Sequence, residues 1–146
     1  MTTTSKKRAP KATDISKSAA FATVFPDVHP GIEPFGSRII VQVRKPLQKV
    51  GSLWLTSDTQ EAEKYNMQIA RVVAVGPVAF KHRRTLEAWP EGAWVEIGDV
   101  VRVPKFGGDR WEIADGSDSK VWFALIEDTD LIGRHVGDPT TGMATL

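Results

Sequence analysis

Short apolar runs alternate with polar residues along most of this chain, and glycine, proline or aspartate ends most of them. Alternation of this kind is typical of half-buried β-strands. We therefore predict about six short strands with almost no helix, which indicates an all-β fold, a small antiparallel barrel or sandwich. The runs that carry the pattern are residues 38–44, 67–75, 94–97, 100–103, 110–114 and 120–126.

The first apolar run and an apolar segment near the end of the chain have the character of edge strands. In the first run, Ile39, Val41 and Val43 fall on one face of the predicted strand. The later segment, residues 131–136, follows the last predicted core strand. Because an edge strand exposes unpaired backbone groups, a neighbouring subunit could supply the missing partner for both segments.

One apolar stretch interrupts the alternation. Leu53, Trp54 and Leu55 stand side by side after Gly51 and Ser52, between a basic lead-in that contains proline and a polar tail. Short apolar runs are usually buried strands, which is the first interpretation of this stretch. The second is an exposed loop tip that a partner binds, and the stretch by itself leaves both open.

The composition is that of an ordinary globular protein of 146 residues with a net charge of +1. The chain has no cysteine, which excludes disulfides, thiol chemistry and cysteine-bound zinc. It has no apolar run long enough for a spanning helix, and its N-terminus lacks the apolar core of a secretory signal. We therefore expect a cytoplasmic site of action.

Residues 1–33 differ from the rest of the chain, since they are rich in Thr, Ser, Ala, Lys and Pro. We predict a flexible or surface-draped basic arm here and a loose tail over residues 137–146. Cations concentrate in the first 17 residues while the remainder is slightly acidic, which argues against nucleic acid as the main partner of the folded part. The apolar residues of the arm that could dock on a surface are Phe21, Val24, Phe25, Val28 and Ile32.

No cluster of residues predicts a catalytic or metal site. His29, His82 and His135 lie in predicted loops without carboxylates at a ligand spacing. The chain has no phosphate-binding glycine loop and no H-E-x-x-H zinc motif. We therefore expect neither enzyme activity nor a cofactor. The cationic run 81–84 is predicted to be the solvated tip of a hairpin excursion over residues 78–92.

Tryptophan is abundant enough to raise the question of base stacking, because some barrels bind single-stranded nucleic acid on exposed aromatic rings. Such a site needs cations beside the rings. Trp94, Trp111 and Trp122 lie in predicted strands next to glutamate or alanine instead. We expect these three side chains to pack in the core.

Four segments of the chain, taken in order, resemble the GroES-type co-chaperonins, the ring-shaped lids of the chaperonin folding chamber. Residues 34–41 (PFGSRIIV) are similar to the family's Pro-Leu-x-Asp-Arg-Val-x-Val start, and residues 70–76 (ARVVAVG) to its Gly-x-Val-x-Ala-Val-Gly strand. Residues 97–101 (IGDVV) resemble the Val-Gly-Asp-x-Val turn. Residues 121–132 are similar to the closing segment, so the resemblance spans the predicted domain, 34–136.

The resemblance implies an irregular GroES-like antiparallel β-barrel, a homo-oligomeric ring that is a heptamer in the family, and a GroEL-type chaperonin as partner. The family's mobile loop corresponds to residues 45–60 and its roof hairpin to 78–92. This position favours an exposed, chaperonin-binding tip, made of Gly51, Ser52, Leu53, Trp54 and Leu55. In the family the terminal strand of one subunit pairs with the first strand of the next, which implies an interface at Phe35, Ile39, Val41, Leu131, Ile132 and Val136.

Several positions depart from the family pattern. Ser37 replaces an acidic residue, Ser52 replaces the second glycine of the mobile loop, and Trp54 is a bulky centre for the apolar triplet. The arm has no counterpart in the bacterial proteins. These departures suggest a divergent member of the family. One origin is a phage genome, in which case the protein would act in the host cytoplasm. Two alternatives stay open: a structural or decoration protein of a phage assembly, and a barrel that binds single-stranded nucleic acid through the basic arm.

Overall fold

Antiparallel strands dominate the computed structural model, which describes residues 19–45, 49–50, 53–54, 68–105, 107–116 and 120–137. In chain order the strands are β1 (Arg38–Val43), β2 (Lys49–Val50), β3 (Leu53–Trp54), β4 (Ile69–Val75), β5 (Val100–Arg102), β6 (Asp109–Ala114), β7 (Lys120–Glu127) and β8 (Gly133–Arg134). A short helix, α1 (Ala19–Val24), precedes them, and a 3-10 turn (Asp128–Asp130) follows β7. The prediction of an all-β fold is confirmed.

Six of these strands form one sheet in the order β6-β7-β1-β4-β5-β8. Strands β2 and β3 pair with each other in a separate two-stranded sheet. Across the part of the chain that the structure describes, β6 and β8 remain edges. The sheet is therefore not closed by hydrogen bonds into the predicted barrel.

Strand β1 lies in the middle of the sheet, so the expectation of an edge strand here is wrong. Its residue Gln42 stands opposite Arg71 of β4 on one side and opposite Phe123 of β7 on the other. The second partner comes from the far end of the chain, and such a long-range pairing is not encoded in the local pattern. The register with β4 shifts between Ile40 and Val41, which marks a β-bulge in this pair of strands.

The predicted strand at residues 94–97 is a turn in the structure. The Glu96 N–H donates to the Asp99 carboxylate at 2.9 Å, and the Asp99 N–H donates to the Glu96 carbonyl at 3.0 Å. Gly98 between them has a φ of 101°, a left-handed conformation that glycine adopts without strain. Its N–H donates to Val72 at 2.8 Å, which fixes the turn against β4. The apolar pattern was misleading because Val95 is buried from within a loop.

One face of the sheet carries the larger apolar core. Alternate residues of β1 point into it, as predicted for Ile39 and Val41, and both are fully buried. The other members are buried residues from β4, β5, β7 and the segments that connect or follow these strands: Ala70, Val72, Ala79, Phe80, Val95, Val101, Val103, Ala124, Ile126 and Leu131. Because strand side chains alternate between faces, this core contains only about half of the side chains of β1.

The opposite face is covered by residues 19–33, which we call the strap. Phe21, Val24 and Phe25 are buried and pack with Ile69 and Val100. The Lys45 N–H donates to the Val24 carbonyl at 3.0 Å, which adds a backbone contact. An antiparallel sheet commonly leaves one face in water, and here the strap removes that exposure. Docking, which the sequence left open for Phe21, Val24 and Phe25, is observed for these three residues, whereas Ile32 stays 45% exposed.

The three tryptophans of the predicted strands do not share one environment in the structure. Trp94 packs against the larger core, and Trp111 stacks on Phe123 with ring centroids 5.9 Å apart. Trp122 is 42% exposed, so the expectation of core packing is wrong for this residue. It alternates with buried Val121 and Phe123 on β7 and so lies on the face of Ala124 and Ile126, but near the start of the strand.

Candidate functional site

The apolar stretch that resembles the mobile-loop tip includes a short hairpin. Lys49 stands opposite Trp54 and Val50 opposite Leu53, so β2 and β3 are consecutive antiparallel strands. In the chain this hairpin lies between β1 and β4, but it is not hydrogen-bonded into their sheet. Gly51, Ser52 and Leu55 of the predicted tip lie outside the described residues. Leu53 and Trp54 are therefore strand residues of a separate hairpin.

A second hairpin joins β4 to the turn before β5, as predicted for residues 78–92. Lys81 and Ala88 form an antiparallel bridge. The His82 N–H donates to the Glu87 carbonyl and the Leu86 N–H donates to the His82 carbonyl, both at 2.8 Å. These bonds give the excursion a defined backbone up to its tip. We call residues 78–92 the upper hairpin.

Three aromatic rings hold the base of the upper hairpin. Phe80 and Trp89 meet edge to face with centroids 5.6 Å apart, and Trp94 lies 4.9 Å from Trp89. Phe80 is itself part of the larger core, and both tryptophans pack against that core. Aromatic pairs at such distances stabilise by about 0.5–1.5 kcal/mol beyond their buried area. The hairpin is thus anchored to the protein interior.

Two polar contacts tie the upper hairpin to the segments that flank β1 and β7. The buried Asp128 carboxylate accepts a hydrogen bond of 2.9 Å from the Phe80 N–H. Phe80 has a φ of 61°, and this left-handed conformation is unfavourable for a bulky residue. Nearer the tip, the Arg83 guanidinium donates to the Ser37 hydroxyl, which donates in turn to Glu127 at 3.4 Å. Ser37, a departure from the family pattern, therefore has a place in this network.

The residues expected at a subunit interface fall into two groups. Phe35, Ile132 and Val136 are exposed, at 80%, 58% and 50%. Ile39 and Val41 are fully buried and Leu131 is 7% exposed, so all three belong to the core of the protomer. Strand β8 begins just after Ile132 and pairs with β5 of the same chain. The structure therefore places Phe35, Ile132 and Val136, but not the other three, where a neighbouring subunit could touch them.

The histidines are not brought together. His29 accepts a 2.8 Å hydrogen bond from the Gly31 N–H, His82 lies at the tip of the upper hairpin, and His135 donates its N–H to Val100 at 2.7 Å. Within the described ranges, no group of three or more acidic, histidine or cysteine residues could hold a metal ion. No helix among the same residues is long and apolar enough to cross a membrane.

Sequence reasoning missed a polar connection between the strap and the sheet. The Gln42 amide donates to the Pro26 carbonyl at 2.7 Å, and its oxygen accepts a 2.6 Å hydrogen bond from Arg71. The Arg71 guanidinium also lies 6.0 Å from the Phe21 ring centroid and 5.9 Å from that of Phe25. Burial lowers the pKa of Arg71, and the nearby Asp27 carboxylate opposes this shift.

One sequence signal could have identified the strap. Its apolar residues lie at positions 21, 24, 25 and 28, the spacing of an amphipathic helix. The observed helix α1 spans only the first part of this pattern. The helix has only six residues and lies in a segment rich in small and polar residues, so its pattern was not recognised.

A model of the family described as Chaperonin 10 Kd subunit matches residues 31–133 of the chain. The chain belongs to this family. The resemblance to GroES-type co-chaperonins is thereby confirmed, and the family implies co-chaperonin function together with a chaperonin partner. No curated protein matches the chain. Helix α1 precedes the matched region, so the first part of the strap lies outside the similarity to the Chaperonin 10 Kd subunit family.

The structure explains two of the motifs that the chain shares with this co-chaperonin family. A Cβ atom at Gly76 would lie 2.2 Å from the Gly36 carbonyl oxygen and 2.8 Å from that of Arg38, so only glycine fits at the end of β4. The second motif, residues 97–101, contains the turn that Asp99 closes and that Gly98 joins to β4. Gly76 allows the start of β1 to lie close to the end of β4, and Gly98 fixes the turn before β5 against β4.

Proposed function

We propose that this chain is a subunit of a ring-shaped co-chaperonin that caps an ATP-driven chaperonin and assists protein folding in the cytoplasm. The family match over residues 31–133 is the observation that carries the proposal. The hairpin of β2 and β3 between β1 and β4, and the bridge between Lys81 and Ala88, support the proposal. In this proposal the protein contributes binding surfaces and has no ATPase activity of its own.

The apolar tip at residues 51–55 is the proposed contact with the chaperonin. Burial of Leu53, Trp54 and Leu55 in an apolar groove would contribute about 1.5–3 kcal/mol for each side chain. Ordering the connection around them costs roughly 1–2 kcal/mol per residue. The backbone pairing of β2 with β3 lowers this cost for the residues already paired. One tip therefore gains little net free energy.

Several tips on one ring overcome this limit. After the first tip binds, the others are held near their grooves at a high effective concentration, so weak contacts combine into strong attachment. Each contact stays weak enough to break when the chaperonin changes state, and a lid has to be released in every cycle. The mechanism therefore requires an oligomer, which we propose is a heptameric ring.

The exposed apolar residues beside β1 and β8 are the proposed subunit contacts. Phe35 and Ile132 are among the most exposed large apolar residues that the structure describes, and Val136 lies close to Ile132 in the chain. Single exposed apolar residues are ordinary on a protein surface, but a subunit contact would bury several together. Ile39, Val41 and Leu131 are buried in the core of the protomer and are not part of this proposed contact.

Retention of a chaperonin by the immobilised protein, with and without ATP, tests the proposal. We expect capture by the wild type and its loss in Trp54→Asp, because a carboxylate at the tip cannot enter an apolar groove without a large desolvation cost. Ile97→Asp is a matched control, since Ile97 is 66% exposed in a different turn. The control should capture the chaperonin as the wild type does.

Two results would contradict this assignment of the tip. If Trp54→Asp unfolds the protein, the stretch is part of the core and does not bind a partner. If the folded variant still captures the chaperonin, the contact lies elsewhere. A wild type that forms rings but retains no chaperonin would favour the alternative of a structural protein that reuses the fold.

A further inference from the structure

The tip of the upper hairpin concentrates positive charge. Residues 81–86 read KHRRTL, with no acidic residue before Glu87. Residues 82–88 are all exposed. A cleft of about 370 Å³ opens at this tip, lined by His82, Arg83, Arg84, Thr85 and Glu87. The chain as a whole is close to neutral, at +1, so this charge is a local feature.

The backbone at the tip is held in place, and the described part of the protein does not neutralise Lys81 or Arg84. Arg83 donates to Ser37, while the side chains of Lys81 and Arg84 make no hydrogen bond or ion pair to any other described residue. The backbone beneath them is fixed by the bonds between His82 and both Glu87 and Leu86. A pre-ordered surface loses less conformational entropy on binding than a flexible loop does. These charges are therefore available to a ligand from outside the protomer.

The two hairpins leave the sheet at opposite ends of one strand. The connection that holds β2 and β3 enters β4 at Ile69, and the upper hairpin follows the end of β4 at Val75. A seven-residue strand separates these points by roughly 20 Å, at about 3.3 Å per residue. A partner bound at one end of the sheet therefore leaves the other end accessible.

We propose that the tip of the upper hairpin, residues 81–86, is a docking surface for an acidic segment of polypeptide. Lys81, Arg83 and Arg84 would pair with its carboxylates. Leu86 is 54% exposed beside them, which suits a segment that also carries apolar residues. This binding is separate from capture of the chaperonin and does not depend on it.

Charge and packing favour a polypeptide over nucleic acid. Binding of a single strand relies on exposed aromatic rings for base stacking. The phenylalanine and tryptophan that flank the tip in the chain are Phe80, which is buried, and Trp89, which is half-buried and lies against both Phe80 and Trp94. Glu87 and Glu91 follow the cations closely and would repel a continuous phosphate backbone. A short acidic segment can bind the cations at 81–84 without lying close to both Glu87 and Glu91.

Fluorescence anisotropy of labelled probes tests this proposal on the full chain. The probes are a peptide of alternating Glu and Leu, the same peptide with Gln in place of Glu, and an oligothymidylate. We expect binding of the acidic peptide at low salt, and roughly two- to five-fold weaker binding in Arg84→Ala, the range for one exposed ion pair. Arg84→Glu should weaken binding further, and added salt should weaken it in the wild type.

Lys120→Ala provides the matched control. Lys120 is also an exposed cation, but it lies at the start of β7, far from the hairpin in the sheet. Its removal should change the affinity little. The proposal would be overturned by equal effects of Arg84→Ala and Lys120→Ala, by equal affinity for the Gln peptide, or by the absence of peptide binding at low salt. Preference for the oligothymidylate would assign the tip to nucleic acid instead.

Discussion

Arg71 and Gln42 face each other across β4 and β1, and the Arg71 guanidinium donates a 2.6 Å hydrogen bond to the Gln42 side-chain oxygen. The Gln42 amide NH2 donates a hydrogen bond to the carbonyl of Pro26, which is a residue of the strap. One side chain therefore joins two strands of the sheet to the segment that covers them. Both residues lie on the face of the sheet that would otherwise meet water.

Gln42→Leu should lower the free energy of unfolding by about 1–3 kcal/mol, because the partly buried Arg71 loses its acceptor. Urea unfolding followed by circular dichroism measures the change. The double variant with Arg71→Met should cost less than the sum of the single changes, since it removes both ends of the same contact. Strict additivity would show that the two side chains are not coupled.

Phe25→Ala should destabilise the protein by about 3–5 kcal/mol, the usual cost of removing a buried phenylalanine ring. Phe25 is a residue of the strap and is 2% exposed where it packs against Ile69 and Val100 of the sheet. Phe35→Ala is the matched control, because Phe35 is 80% exposed and contributes little to the stability of the protomer. Chemical denaturation of both variants distinguishes a docked strap from a loose arm: a small loss in Phe25→Ala would contradict the packing described above.

Gly76→Ala should destabilise the fold by at least about 1–3 kcal/mol, because the added methyl group overlaps two backbone oxygens that cannot move independently. Gly133→Ala tests the effect of the methyl group by itself, since nothing lies within 4 Å of a Cβ at that position. The midpoint of thermal unfolding compares the two. Similar midpoints would mean that the start of β1 can shift to make room.

Asp128→Ala should loosen the upper hairpin and reduce stability by about 1.5–3 kcal/mol, the range for a hydrogen bond to a charged group. The left-handed backbone of Phe80 loses its acceptor, so the packing of Trp89 and Trp94 should change. Tryptophan fluorescence reports that change. Asp109→Ala, an exposed carboxylate on β6, is the control and should leave the spectrum as it is.

Ile132→Asp should dissociate the proposed ring, because each carboxylate would be buried against the next subunit at a cost of several kcal/mol. Sedimentation velocity gives the mass of the assembly, and chaperonin retention should fall with it because single tips bind weakly. Ile97→Asp, at a residue that is similarly exposed (66% against 58% for Ile132) but far from the proposed contact in the chain, should leave the mass unchanged. A ring that survives Ile132→Asp would place the interface elsewhere.

The local pattern predicted most strands and several core positions, because alternation in an antiparallel sheet is a local property. It placed Ile39 and Val41 on a buried face and identified the turn at Gly98. It could not show that β1 is central, since β7 joins it from the other end of the chain. It also gave residues 94–97 the wrong structure, because a loop can bury Val95 as well as a strand can.

Some features of the candidate sites could be predicted from the sequence, and others could not. Family motifs indicated where the proposed binding tip and the roof hairpin should lie, and the structure has an antiparallel bridge between Lys81 and Ala88 within residues 78–92. The strap was harder to foresee, because its contacts through Gln42, Arg71 and Pro26 join residues that have no sequence pattern in common. Hydrogen bonds between distant segments depend on the register of the strands, and that register exists only in the folded chain.

The central position of β1 has a consequence for the synthesis of the protein. Arg38 at its start pairs with Glu127 at the end of β7, so the sheet stays incomplete until that residue has been translated. At about 5–20 residues per second, the wait is roughly 4–18 seconds. During that time one edge of an apolar strand is without its native partner. This member of the Chaperonin 10 Kd subunit family therefore exposes an apolar strand edge while it is a nascent chain.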